Sequence, residues 1–217
     1  MKIGVIGATG FVGSHIVKEA LSRNHDVVAF ARDNTKLSDN GHLTKVSLDA
    51  NDVEALAEAL ESNNVDAVVS AFNPGWTNPN IYDDFIAGAK HIESAVEKSG
   101  IKHFIVIGGA GSLYIDGKQL VDSLGFPEEI KPGATAARDY LNILKANTVL
   151  DWTFFSPAIE MHPGIKIGRT GKYRTGTNSP VFDTDNKSVL SVEDLAVAII
   201  DEVENPKFLK QRFTAAY

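Results

Sequence analysis

Short apolar runs alternate with amphipathic segments along almost the whole chain of 217 residues. The apolar runs have the length and the near-continuous hydrophobicity of buried β-strands. They predict strands over residues 2–6, 26–31, 44–48, 67–71, 103–107, 152–155 and 212–215. Between these runs, apolar positions recur at helical spacing. They predict helices over residues 11–23, 80–98, 134–147 and 191–204, and one more after a capping box of Asn51 and Glu54.

This alternation is typical of a parallel sheet with helices on both faces. Right-handed crossovers make such a sheet doubly wound, so we predict an α/β Rossmann fold with three layers, α/β/α, as one domain over residues 1–217. Ligands of this fold bind beyond the carboxyl ends of the strands. Two stretches, 111–133 and 158–187, break the alternation. We expect them to form a small lid on the substrate side, since long loops in compact domains are frequently functional.

The first strand leads directly into a glycine-rich turn, Gly7-Ala8-Thr9-Gly10-Phe11-Val12-Gly13, which opens the first helix. Gly7 permits a tight turn, Gly10 lets the backbone approach a pyrophosphate, and Gly13 allows the helix to pack closely on the sheet. The unpaired N–H groups at a helix start carry partial positive charge, which favours a diphosphate. The turn therefore predicts a dinucleotide site. A turn that only packs the helix on the sheet is the alternative.

The end of the second predicted strand bears on the choice of nucleotide. Ala31 occupies the terminal position, where NAD-preferring proteins carry an acid, and Arg32 follows it. A guanidinium there can bind a 2′-phosphate, with added charge from Lys36, whereas Asp33 is the counter-indication because it can serve a 2′-OH. We therefore favour NADP as the cofactor and keep NAD as the alternative. The other interpretation of Arg32 is a surface arginine that forms an ion pair with Asp33. Asp49, after the third strand, either contacts the adenine amino group or forms the turn before the next helix.

The amino-acid composition limits the classes of partner and ligand that we expect for this protein. The formal net charge of −7 argues against nucleic acid. The absence of cysteine excludes disulfides, a thiolate nucleophile and cysteine-based metal sites, and we predict no metal site. No apolar stretch reaches membrane-spanning length, and the first residues lack the pattern of a signal peptide. We expect a cytoplasmic protein that binds a small-molecule substrate, and the sequence leaves a homodimer open.

Four stretches carry a resemblance to a known family. They are the glycine turn with Arg32, the run Phe104-Ile105-Val106-Ile107-Gly108-Gly109-Ala110-Gly111-Ser112-Leu113, the run Asp151-Trp152-Thr153-Phe154-Phe155-Ser156-Pro157-Ala158, and the closing Ser191-Val192-Glu193-Asp194-Leu195-Ala196. Over essentially its whole length the chain resembles the atypical short-chain dehydrogenase/reductases. It is most similar to their NADH-flavin reductase group, near NmrA-like proteins and biliverdin-IX-beta (flavin) reductase.

The resemblance implies an NADP cofactor laid across the rim of strand ends. It implies that residues 9–12 hold the diphosphate and that Arg32 holds the 2′-phosphate. Ser70, Ala71 and Phe72 would lie along the ribose and nicotinamide. Backbone at Pro157, Ala158 and Ile159 would meet the carboxamide. Gly108 and Gly109 end the fifth strand, so we expect them on the same rim.

Typical members of this superfamily use a Ser after the fifth strand and a Tyr-x-x-x-Lys pair on the next helix for proton transfer. Here glycine and alanine follow the strand, and Tyr140 and Lys145 are five residues apart, which separates them by roughly 140° around a helix. We therefore interpret Tyr140 as a packing residue and name no catalytic residue. Ser112, Tyr114 and His162 are weaker candidates for a proton donor.

A planar acceptor suits this arrangement, because hydride transfer to a flavin needs close stacking more than a protein acid. Two sets of residues fit such an acceptor. The first offers apolar surface near the rim and consists of Phe72, Trp76, Tyr114 and Phe126. The second is a basic patch that either holds a flavin phosphate or forms a solvated hairpin, and it consists of Lys166, Arg169, Lys172 and Arg174. We predict an NADP(H)-dependent oxidoreductase that reduces a flavin or quinone. A non-catalytic NADP(H) redox sensor with a protein partner is the alternative, and a sugar-nucleotide epimerase or dehydratase is a weaker one.

Overall fold

The structure is a computed structural model that describes residues 1–217. Its strands are β1 (Lys2–Ile6), β2 (Asp26–Ala31), β3 (Leu43–Ser47), β4 (Ala67–Ser70), β5 (His103–Ile107), β6 (Tyr114–Ile115), β7 (Lys118–Gln119), β8 (Asp151–Phe155), β9 (Arg174–Gly176) and β10 (Gln211–Ala216). Its α-helices are α1 (Phe11–Ser22), α2 (Val53–Ser62), α3 (Ile81–Lys98), α4 (Lys131–Leu144) and α5 (Val192–Glu204). None of these helices combines the length and apolar character needed to cross a bilayer.

Eight strands form one sheet in the order β3-β2-β1-β4-β5-β8-β10-β9. Neighbouring strands run parallel except at the edge, where β9 is antiparallel to β10. From β1 the chain first builds outward through β2 and β3, and then returns to place β4 on the other side of β1. This reversal of winding creates the crevice at which doubly wound sheets bind ligands. The predicted fold class is therefore confirmed.

Each face of the sheet buries its own hydrophobic core of 24 residues. Side chains alternate across a strand, so on β1 Ile3 and Val5 enter the core under α1 and α5, while Ile6 enters the core under α2, α3 and α4. Because the central strands are covered on both faces, nearly every position in them is apolar. That is why β1, β2 and β5 are readable from the sequence as continuous runs.

Two helix starts differ from the predictions. The prediction of a capping box formed by Asn51 and Glu54 is wrong. The residue that caps α2 is Asp52, whose side chain accepts a hydrogen bond from Ala55 N at 3.1 Å. Helix α4 begins at Lys131, three residues before the predicted start. Pro132 falls in its first turn, where a missing N–H costs no helical hydrogen bond.

The two stretches that interrupt the alternation pack against each other and against the sheet. Segment 111–133 contains the small β6–β7 hairpin, and segment 158–187 contains the edge strand β9. The backbone N–H of Tyr114 in the first segment donates to the carbonyl of Asn178 in the second at 2.8 Å. The second segment is also fastened to α5, because the buried Asp194 carboxylate accepts the N–H groups of Thr170 and Gly171.

Candidate nucleotide-binding site

The ends of β1, β2 and β4 meet at the glycine-rich turn. Ile6 is level with Phe30 on β2 and with Ser70 on β4. Beyond Ile6 the chain folds back tightly, and the N–H of Gly7 donates to the Phe30 carbonyl at 3.0 Å. Gly7 has φ of +73°, and a Cβ on it would lie 2.6 Å from the carbonyl oxygen of Ala71. Only glycine fits this position, because both the backbone conformation and the neighbouring strand exclude a side chain.

Four backbone N–H groups at the start of α1 have no hydrogen-bond partner in the protein; we call them the amide cradle, and they belong to Thr9, Phe11, Val12 and Gly13. Every helix begins with unpaired donors, which side-chain caps can satisfy. Helices α2 and α5 each have such a cap and acidic residues in the first turn, and α3 has the acidic residues alone. Helices α1 and α4 have neither, and of these two only α1 begins at the glycine-rich turn on the rim. The amide cradle is thus open to an external anion, with the positive end of the helix dipole behind it.

Gly10 and Gly13 serve different purposes in this turn. A Cβ on Gly13 would lie 2.1 Å from the carbonyl oxygen of Gly7, so close packing of α1 on the turn requires glycine. A Cβ on Gly10 would meet only the carbonyl oxygen of Gly7, at 3.3 Å, and its φ of −75° is open to any residue. Protein packing is thus much less restrictive at position 10 than at position 13, although a side chain would press on that oxygen. Glycine also leaves the backbone open to a phosphate, as expected of a turn that binds a dinucleotide diphosphate.

The loop after β2 presents positive charge with no internal partner. Arg32 and Lys36 are exposed and lie outside all ion pairs of the chain. Asp33 is partly engaged: its Oδ1 atom accepts the backbone N–H of Thr35 at 2.9 Å, and this bond lowers the pKa of Asp33 below its ordinary value. Its Oδ2 atom has no partner. The surface pair between Arg32 and Asp33, which was the alternative interpretation, is not formed.

Asn34 is a residue of this loop that the sequence analysis missed. It is buried, and its side-chain amide donates to the carbonyl of Val46 at the end of β3 at 3.0 Å. It thereby fixes the loop that carries Arg32 to the edge of the sheet. The signal for it is weak, because an asparagine after a strand is normally interpreted as a turn residue.

Asp49, at the end of β3, is engaged in a turn. One carboxylate oxygen accepts both the backbone N–H and the side-chain amide of Asn51, at 2.9 and 3.0 Å. The turn interpretation of Asp49 therefore describes its contacts. A contact with adenine stays a prediction for its second oxygen.

The ends of β4, β5 and β8 continue the rim on the other side of β1. Ser70 is buried, and the Ala71 N–H donates to the Ile6 carbonyl at 2.9 Å, so this backbone lies against the turn. The Phe72 ring points away from the rim, packing against Phe85 at 6.3 Å between ring centroids and filling the space beside a helical glycine. Phe72 thus offers backbone rather than a stacking ring at this site.

Two glycines and two buried residues complete this part of the rim. Gly108 is required by packing, since a Cβ there would lie 2.0 Å from the Phe154 ring. Gly109 has more room, with Ala137 Cβ as its nearest neighbour at 3.6 Å. Pro157 and Ala158 follow β8 with buried side chains, so any contact they make with a nicotinamide involves their backbone.

The tyrosine on α4 is unavailable for proton transfer at the rim. Tyr140 is fully buried between α3 and α4, where its hydroxyl donates to Glu93 Oε2 at 3.0 Å. Burial, reinforced by the Glu93 carboxylate, raises the pKa of Tyr140 well above its ordinary value. Lys145 is the exposed residue that ends the helix. The structure thus agrees with the interpretation of Tyr140 as a packing residue.

Ser112 and His162 differ in how they are held. Ser112 is fully buried, and its hydroxyl lies 2.8 Å from the Ser156 hydroxyl and donates to the Gly109 carbonyl at 2.9 Å. His162 lies in an exposed turn, where its Nδ1 atom accepts the Gly164 N–H at 3.1 Å and its Nε2 atom has no partner. The Ser112 hydroxyl is therefore engaged inside the protein, and a role for His162 stays a prediction.

The predicted basic patch does not assemble, because two of its members have internal partners. Arg169 forms two hydrogen bonds with the buried carboxylate of Glu19 on α1, at 2.8 and 2.9 Å. Arg174 donates to backbone carbonyls at Phe182 and Tyr217. Only Lys166 and Lys172 remain free of such contacts, which leaves little of the patch for a phosphate.

The fold and the amide cradle define an NAD(P)H-binding protein of the Rossmann class with an oxidoreductase-like architecture. A family described as NAD(P)H-binding matches residues 7–206, and the chain belongs to that family. The curated Bacillus subtilis protein YwnB, described as uncharacterized, is 34% identical over 218 residues, which span 99% of this chain and 97% of YwnB.

Solved structures extend this likeness. A candidate epimerase from Bacteroides thetaiotaomicron is 43% identical, with a TM-score of 0.90 over 100% of this chain and 96% of that chain. A candidate NADH-flavin reductase from Streptococcus pneumoniae is 34% identical, with a TM-score of 0.84 over 100% of this chain and 99% of the other. These likenesses confirm the predicted family group and the nicotinamide class of cofactor.

Proposed function

We propose that this protein is an NADP(H)-dependent reductase that passes a hydride to a planar acceptor, a flavin or a quinone. The observation that carries the proposal is the open amide cradle, with the unpaired Arg32 on the same rim. Anions bind well at such a cradle, and guanidinium groups bind phosphates through two parallel hydrogen bonds. These two features suit a dinucleotide that carries a diphosphate and a 2′-phosphate.

The preference for NADP over NAD rests on the loop after β2. Arg32 is free to bind a 2′-phosphate, and Lys36 adds charge nearby. Asp33, the residue that would favour a 2′-OH, already accepts a hydrogen bond from Thr35. The cofactor-binding set that we propose consists of Gly7, Thr9, Gly10, Phe11, Val12, Arg32, Asp49, Ser70, Ala71, Phe72, Gly108, Gly109, Pro157 and Ala158.

When bound, NADPH supplies a hydride from its nicotinamide ring. The main contribution of the chain is to hold and orient the reactants, since the hydroxyls of Tyr140 and Ser112 are buried and engaged. The exposed Tyr114 and His162 stay the candidates for a proton donor. Proximity and orientation alone can supply a large part of a rate enhancement. An acceptor that takes its proton from water suits such a site, which favours a flavin or quinone over a substrate that needs a protein acid.

The experiment that tests this proposal is NADPH oxidation by the purified protein with FMN, riboflavin and a small quinone in turn, followed by nicotinamide absorbance. We expect turnover well above the protein-free rate with at least one of these acceptors. Tight NADPH binding without turnover on any of them would contradict the reductase proposal.

A redox sensor is the second candidate, because the expected tyrosine acid is buried and unreactive. In that case the protein binds NADP(H) and reports the ratio of its two forms to a protein partner. A sugar-nucleotide epimerase needs an accessible tyrosine base, which Tyr140 does not supply. A cytoplasmic location, a homodimer, the absence of a nucleic-acid partner and a single domain with a two-segment lid stay predictions.

A further inference from the structure

A buried arginine joins the two lid segments. Arg212, on β10, is only 7% exposed. Its Nη1 donates to the carbonyl of Ser112 in segment 111–133. Its Nε donates to the Thr177 carbonyl at 3.1 Å, and its Nη2 donates to Asn178 Oδ1 at 2.7 Å, both in segment 158–187. We call this arrangement the Arg212 clamp.

The clamp contains no carboxylate. The charged group is surrounded by neutral oxygens and by the ring of Tyr114, whose centroid lies 5.5 Å from the guanidinium carbon. Burial lowers the pKa of the Arg212 guanidinium, but an arginine stays charged in proteins. A buried cation without a counter-ion is costly unless its hydrogen bonds are well satisfied. Here all three nitrogens have acceptors, so the geometry is strongly specified.

The clamp also connects to the candidate site. The hydroxyl of Ser112, whose carbonyl Arg212 binds, lies 2.8 Å from the hydroxyl of Ser156. Ser156 directly precedes Pro157 and Ala158 on the rim. On the other side of Ser112, Tyr114 projects with 38% of its surface exposed while resting against Arg212. Arg212 therefore fixes the position of an exposed aromatic ring relative to the end of β8.

We propose that Arg212 is a positioning residue for the acceptor: it joins the two lid segments into one wall and holds Tyr114 where a planar acceptor lies. This inference rests on the proposed reductase function. It assigns to the clamp mainly the affinity for the acceptor, because the groups that would hold the phosphates, the amide cradle and Arg32, stand on different elements, α1 and the loop after β2. Of the proposed cofactor-binding residues, only those around Ser112 and Ser156 lie close to the clamp.

The test compares Arg212→Met, which keeps an unbranched apolar stem but removes the guanidinium and its donors, with Arg174→Met as a matched control. Arg174 lies in segment 158–187 and also donates to two carbonyls, but it is exposed and does not reach segment 111–133. For Arg212→Met we expect the KM of the acceptor to rise roughly tenfold or more, with kcat and the Kd of NADPH nearly unchanged. The control is expected to leave all three quantities close to wild type.

Asn178→Ala is the second variant, in case Arg212→Met does not fold. It removes one acceptor of the clamp at an exposed residue, and we expect a smaller rise in the acceptor KM in the same direction. An unchanged acceptor KM in both variants would overturn the inference. So would a loss of NADPH affinity as large as the rise in KM, since that would indicate a general structural role.

Hydrogen exchange of the ligand-free proteins separates this inference from the proposed function. If the wild-type protein reduces no acceptor, the reductase proposal fails and with it the positioning role. The clamp itself is then judged by exchange: Arg212→Met should speed exchange in both 111–133 and 158–187, and Arg174→Met only in the second. Unchanged exchange in 111–133 for Arg212→Met would show that Arg212 does not join the segments.

Discussion

At the start of α1 four backbone donors have no acceptor in the protein, whereas at the Arg212 clamp every nitrogen of a buried guanidinium is engaged. The first region is open, and at position 10 the protein restricts a side chain much less than at position 13. The second is closed upon itself, and its polar atoms serve to fix the chain. Under the proposed function, this contrast predicts that hydrogen bonding recognises the cofactor, while the shape and exposed aromatic surface of the lid select the acceptor.

The largest effect is expected from Gly13→Ala, because its Cβ would lie 2.1 Å from the Gly7 carbonyl oxygen. The helix must move away from the turn, so we expect the free energy of unfolding to fall by about 1–3 kcal/mol, as for other overpacked sites. NADPH affinity should fall as well, since the amide cradle is displaced. Urea unfolding and a binding titration measure the two effects. Gly41→Ala is the control, because a Cβ there meets nothing within 4 Å. Unaltered stability and affinity would show that the turn is looser than described.

Gly10→Ala distinguishes the effect of a side chain on cofactor binding from its effect on the stability of the fold. The added Cβ would lie 3.3 Å from the Gly7 carbonyl oxygen, a tight contact that a small shift relieves, so we expect a much smaller fall in the free energy of unfolding than for Gly13→Ala. We expect the Kd of NADPH to rise roughly tenfold or more, because the methyl group occupies the space of the diphosphate. If Gly10→Ala binds NADPH as tightly as wild type, the diphosphate does not rest on this turn.

Arg32→Ala tests a single charged contact. We expect about a tenfold rise in the Kd of NADPH and little change for NADH, because only NADPH carries the 2′-phosphate. The same titrations on Arg174→Ala control for the loss of an exposed arginine elsewhere. Equal losses for both nucleotides would remove the 2′-phosphate role of Arg32.

The smallest effect on activity is expected from Tyr140→Phe. The variant loses the buried hydrogen bond to Glu93, which should lower the free energy of unfolding by about 1 kcal/mol. Turnover and its dependence on pH should match wild type, since the hydroxyl does not reach the rim. A large loss of kcat, or a shift in the pH profile, would make Tyr140 a catalytic acid after all.

The regular parts of the fold could be predicted from the sequence because local pattern and tertiary role agree there. Strands β2 and β5 were predicted with the bounds that the structure has. At α2 the predicted cap was one residue off, because Asp52 and not Asn51 caps the helix. At α4 the predicted start was three residues late, and Pro132 lies in the first turn of the helix. Short strands such as β9 carry too little pattern to be recognised.

Long-range contacts could not be predicted in the same way. The glycine turn can be recognised from seven consecutive residues, but the hydrogen-bond partners of Arg212 lie 34 to 100 positions away along the chain. The same limit applies to Arg169, which looked like part of a basic patch and instead pairs with Glu19, 150 residues earlier. Local sequence was enough to predict candidate ligand-binding residues at the glycine turn, whereas tertiary structure was needed to find the side chains that bind within the protein.

The most direct test of this contrast is a calorimetric titration of the purified wild-type protein with NADPH and, separately, with NADH. An open amide cradle with a free Arg32 predicts that both nucleotides bind and that NADPH binds roughly tenfold tighter or more. Failure of both nucleotides to bind would contradict the assignment of the α1 start as a cofactor site. Equal affinities would keep the diphosphate site and refute the role of Arg32.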